Sequence, residues 1–214
     1  QLLPNKVVTR RKRMELFKKV ITTVLAALFL TSCSSMNSAI TVGDKEFSIN
    51  DLQKPVDEIL EARKSFDTSQ VQLASGAELG RNQAQFAIIS VLLDQIASDM
   101  KINFTNADIA KRRTEIVTQV GGEAELPKAL ASSNLAASNL DPYIKVRLII
   151  DKLTSDLIAL GVSPEQASEE VSRLIVEAAK KLGVEVNPKY GKWNAANASI
   201  ESGDITDGAV TPAP

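Results

Sequence analysis

From residue 39 the chain alternates apolar and polar positions for a few residues and then changes to helical spacing. Ile40, Val42 and Phe47 are apolar around Gly43-Asp44, which predicts a hairpin over 39–47. Ser48 with Asp51 forms a capping-box pattern, and Ile49, Leu52, Val56, Ile59 and Leu60 fall on one helical face. Pro55 lies too deep for a first-turn proline, so a kink or a later helix start is expected there. Residues 65–80 show little pattern and read as a loop. A second helix is expected over 81–101, where Phe86, Ile89, Leu93, Ile96 and Met100 recur at spacings of three and four. Ile88, Val91 and Leu92 widen that stripe, which implies burial on more than one side and a central position.

Further along, Thr105 and Asp108 repeat the capping box, and Gly121-Gly122 supply a stop. Between them Ile109, Ile116, Val117 and Val120 are apolar, and Lys111, Arg112 and Arg113 read as a solvated basic face. A short helix is expected over 124–131 and a long one over 140–160, with Ile144, Leu148, Ile149, Leu153, Leu157 and Leu160 inward. Asp141-Pro142 reads as its cap and first-turn proline, and Gly161 as its end. Ser163-Pro164-Glu165-Gln166 opens a last helix whose inner face is Ala167, Val171, Leu174, Ile175, Ala178 and Leu182. Val184-Glu185-Val186 alternates as a short strand. From Asn194 onward the residues are mostly small and polar, which predicts a disordered tail over 194–214. The folded unit is then 39–193, a mainly α domain with a small β element where the terminal strands meet.

Upstream of the domain the pattern is of another kind. Met14 is followed by Lys18-Lys19 and an apolar run from Val20 to Leu30. The run is shorter than the roughly 20 apolar residues that span a bilayer and fits the core of an export signal. Leu30-Thr31-Ser32-Cys33 resembles the bacterial lipobox. That resemblance implies cleavage before Cys33, lipid on its thiol, and a place on the outer face of the cell membrane. Residues 1–32 are accordingly read as upstream residues and signal peptide, and 33–38 as a lipidated linker. Two acyl chains would hold stably, since each buried methylene contributes about 0.8 kcal/mol.

Composition narrows the chemistry. The chain has no His and a single Cys, which removes Cys/His zinc sites, Ser-His-Asp and Cys-His catalysis, and any disulfide within the chain. No catalytic, cofactor-binding or metal-binding residue is expected, and no enzyme. The overall charge of −1 hides an asymmetry: residues 1–32 hold seven Lys/Arg and one Glu, leaving a balance of −7 from Cys33 onward. An acidic domain has no electrostatic reason to bind nucleic acid.

In this order, the elements look like the N-terminal domain of the SurA and PrsA family of extracytoplasmic foldases. The matching pieces are the 39–47 hairpin with Val42-Gly43-Asp44, the run Ile88-Ile89-Ser90-Val91-Leu92-Leu93, and the Thr105–Asp108 cap with Gly121-Gly122 downstream. The closing Val184-Glu185-Val186-Asn187-Pro188-Lys189-Tyr190-Gly191-Lys192-Trp193 resembles the ending of lipoprotein members. Family members typically insert a parvulin prolyl isomerase before the last helix. Here one residue separates Gly161 from Ser163, which leaves no room for it, and the histidines of such a site are missing. The resemblance therefore implies a membrane-anchored, chaperone-like lipoprotein that holds unfolded or extended protein segments without isomerase activity. The alternative is an interaction lipoprotein for one membrane or cell-wall protein, with Tyr190 and Trp193 as the aromatic candidates. Against that role, Trp193 also reads as a cap on the core where the terminal strands meet.

Overall fold

The computed structural model describes residues 37–68 and 72–203, all within a compact unit that begins at Asn37. The segment expected to be a signal peptide, Cys33 with its expected lipid, and residues 204–214 lie outside the described residues. The chain opens with β1 (Ser38–Val42) and β2 (Lys45–Ser48), so the first strand takes in Ser38, which was expected in the linker. Gly43 makes the turn at φ 59°, a left-handed conformation that glycine adopts without strain. Late in the chain β3 (Val184–Val186) returns to pair antiparallel with β1, giving a sheet of order β2-β1-β3. Ile40 stands between Phe47 and Val186, so the two ends of the domain meet on the central strand.

Six helices are found among the described residues. They are α1 (Ile49–Arg63), α2 (Gly76–Asp99), α3 (Asn106–Val120), α4 (Leu126–Ser132), α5 (Leu140–Ala159) and α6 (Pro164–Leu182). The capping boxes of α1, α3 and α6 form as expected, each side-chain oxygen accepting from a backbone N–H that would otherwise be orphaned. α1 starts at Ile49 and runs through Pro55, so no later start occurs. Pro55 is buried with Leu52, Val56 and Ile59, and that packing holds the turn despite the lost backbone bond.

The start of α2 differs more. The helix begins at Gly76, five residues before the expected 81, because Leu79 is fully buried and anchors its first turn. Tertiary burial there outweighs the poor helix propensity of Gly76 and Gly80. α2 is the central helix, with Ala84, Ile88, Leu92 and Leu93 fully buried against β1, α5 and α6. Its expected last inward residue, Met100, is half exposed.

α5 opens on a 3₁₀ turn, Ala137–Asn139, with Asn139 at the cap position, so Asp141-Pro142 sit inside the first turn. Leu160, expected inward, is 82% exposed, because α5 has already ended at Ala159.

The fold also continues past residue 193. β4 (Lys192–Asn194) pairs antiparallel with β5 (Ser199–Glu201), and Trp193 faces Ile200 across the pair. Gln85 on α2 fixes the outer edge of β5: its amide donates to Ala198 O at 2.9 Å and accepts from Ile200 N at 2.7 Å. Ala198 and Ile200 are buried in the core, so the ordered fold extends through residue 201 instead of ending at 193.

α3 stands apart. None of its residues is buried, and Ile109, Ile116, Val117 and Val120 are half-buried over a small cluster of Leu126, Leu130, Leu140 and Ile144. It packs on α4 and α5, which leaves space along its α2 side.

Candidate functional site

Two clefts lie where α2 faces α3. Gln83 and Phe86 of α2 line both, so they are neighbours along one helix. The first has a volume of about 400 Å³, within the range of ordinary ligand pockets. Its walls are Phe47 from β2, Leu52 and Pro55 from α1, Phe86, Ala87 and Val91 from α2, Ile109 from α3, and Pro142 and Val146 from α5. Five charged groups stand among its lining, each held by a nearby partner. The Lys45 ammonium sits 5.3 Å from the centre of the Phe47 ring. Lys145 meets Asp94 at 2.7 Å, and Asp141 accepts from Arg113 at 2.9 Å. Asp51 closes the α1 capping box, and its hydrogen bonds from the Ser48 hydroxyl and backbone hold its carboxyl below the usual range. The Ser90 hydroxyl donates to Phe86 O at 2.8 Å. What faces the space is mainly apolar surface with few directional demands.

The second cleft, about 810 Å³, lies between α2, α3, α4 and α5. Its apolar side includes Phe86, Ile116, Leu135 and Ile144, and its polar side includes Asn82, Gln119, Arg112 and Arg147. Arg112 and Arg113 are half-buried, so the 111–113 run is not simply a solvated face: one arginine lines a cleft and the other binds Asp141.

A polar network ties the elements beneath both clefts. Buried Gln83 donates to Asn134 O at 3.0 Å and accepts from Asn139 Nδ2 at 3.4 Å. Asn134 Oδ1 accepts from Arg63 at 2.7 Å. Arg63 is buried and also donates to Ala131 O at 3.2 Å and Ala74 O at 2.6 Å. Burial lowers its pKa, and these three acceptors stabilise the charge while joining α1 to the end of α4.

Of the aromatic candidates, Tyr190 is only 5% exposed and is not available to a partner; burial pushes its phenol up. Trp193 is half-buried against the main core, within the β4–β5 hairpin. Among the described residues no cluster of three or more His, Cys, Asp or Glu is placed to hold a metal ion, and no helix is long and apolar enough to cross a membrane. The sequence did not mark a cleft, although Phe86 and Val91 were read as part of the broad α2 stripe and form half-buried positions of it; Ala87 beside them was not singled out. No family model, curated protein or solved structure matches this chain.

Proposed function

We propose that this protein is a chaperone-like holdase, tethered to the outer face of a bacterial membrane by lipid on Cys33, that shelters extended apolar segments of unfolded proteins. The observation that carries the reading is the first cleft: mainly apolar walls, with charged groups already engaged locally. A cleft of that kind binds through area more than through directed bonds, which suits clients of varied sequence. The order of elements and the Val184–Trp193 ending support the same reading through their likeness to SurA and PrsA N-terminal domains. The lack of His fits an activity that needs no proton transfer.

The test is suppression of aggregation. The purified chain is expected to slow aggregation of several unrelated unfolded proteins. Ile109→Glu with Pro142→Glu, which place charge on the cleft wall, should abolish most of that protection without shifting the thermal melt by more than a few degrees. Leu160→Glu, at an exposed position outside the cleft, should leave it intact. Protection of no client, with stoichiometric capture of one protein, would favour a dedicated interaction lipoprotein instead.

A further inference from the structure

The second cleft differs from the first in its charges. Of the residues that line it only Arg112 and Arg147 are charged, and both are cations in a domain with an acidic excess. Their counter-charges stand outside the lining. Arg112 meets Glu115 at 3.0 Å, and Asp151 lies 4.0 Å from Arg112 and 3.5 Å from Arg147. The two contacts to Asp151 are longer than a strong charge-assisted bond, so a closer carboxylate can replace Asp151 at both guanidiniums while Arg112 Nη1 stays with Glu115. Beside them Asn82 and Gln119 offer amide donors and acceptors suited to a peptide backbone. Phe86, Ile116, Leu135 and Ile144 supply apolar wall.

We infer that this cleft binds an extended peptide segment that carries carboxylates next to apolar side chains. Each guanidinium presents a planar fork that a carboxylate fits with paired hydrogen bonds. The apolar wall takes the neighbouring side chains, and it would go unused by a small anion. The first cleft offers mainly apolar area, whereas this one adds a charge requirement. The inference stands on its own residues and does not depend on the holdase reading.

The experiment is fluorescence anisotropy with the full chain and three labelled peptides. They share one set of apolar residues and carry paired Asp, Asn or Lys. The Asp peptide is expected to bind at least about tenfold more tightly than the Asn peptide. That margin should shrink as salt rises. Arg112→Gln with Arg147→Gln, both at half-exposed side chains, should erase the preference and leave the thermal melt and aggregation suppression unchanged. Loss of suppression in the Ile109→Glu/Pro142→Glu protein with the preference retained would place the two activities in separate clefts.

Equal binding of the Asp and Asn peptides, or a preference that survives the double arginine substitution, would overturn the inference. Full displacement of the Asp peptide by inorganic phosphate, unaffected by Ile116→Ser, would reduce the cleft to a simple anion site and also overturn it. So would a tenfold gain in affinity on deleting residues 204–214, which would assign the cleft to the chain's own Asp204–Asp207 stretch.

Discussion

Gly191 shows how one residue holds the end of the fold in place. Its φ of 126° and ψ of −162° lie in a region that is essentially open to glycine alone. A Cβ there would meet the carbonyl oxygen of Glu201 at 2.1 Å, a backbone atom that cannot swing aside. The Tyr190-Gly191 pair in the closing motif is therefore a packing requirement: Tyr190 buries, and Gly191 lets β5 pass close by. Gly191→Ala is expected to destabilise the protein by roughly 2–3 kcal/mol. Urea denaturation would measure it, and Trp193, the only tryptophan, would report a red-shifted emission as the hairpin loosens. Gly203→Ala, with open space around its Cβ, should change neither.

At the scale of elements, what was legible in the sequence is what is local. Capping boxes, apolar spacing and stop glycines act within a few residues, and α1, α3 and α6 begin where those signals stand. The elements that were misread depend on distant partners. Residues 194–201 look polar and small, yet Gln85, more than a hundred positions earlier, supplies the edge that orders β5. The first turn of α2 was hidden by two glycines whose weak propensity is overridden by the burial of Leu79.

The caps also predict an acid response. Hydrogen bonds from Ser48 and Thr105 hold the Asp51 and Asp108 carboxyls below their ordinary range, and Lys181 does the same for Asp99. A folded-state pKa below the unfolded one stabilises the fold above the ordinary carboxylate pKa of about 4, and that contribution is lost as pH falls through the folded value. The Asp51→Asn/Asp108→Asn protein should start less stable near about pH 6 and lose less on the way to about pH 3 than the unaltered chain. Melting temperatures across that range check the sign.

For the whole molecule, the clefts arise from an arrangement that no single segment encodes. α2 is wrapped by the sheet, α1, α5 and α6, while α3 rests on α4 and α5 with no buried residue of its own. That leaves the half-buried edge of the α2 stripe facing space instead of a neighbour. Such an edge was visible as excess apolar width, but its exposure depends on where α3 packs. The arginine pair of the second cleft was hidden for the same reason, since Arg112 and Arg147 are 35 positions apart.

The central claim is that clients sit in the first cleft. The direct measurement is site-specific photo-crosslinking, with a benzophenone amino acid replacing Val91 on the cleft wall or Leu160 outside it. An unfolded client protein is expected to crosslink strongly from position 91 and only at background level from position 160. Equal labelling from the two positions, or none from position 91 while aggregation is still suppressed, would contradict the account.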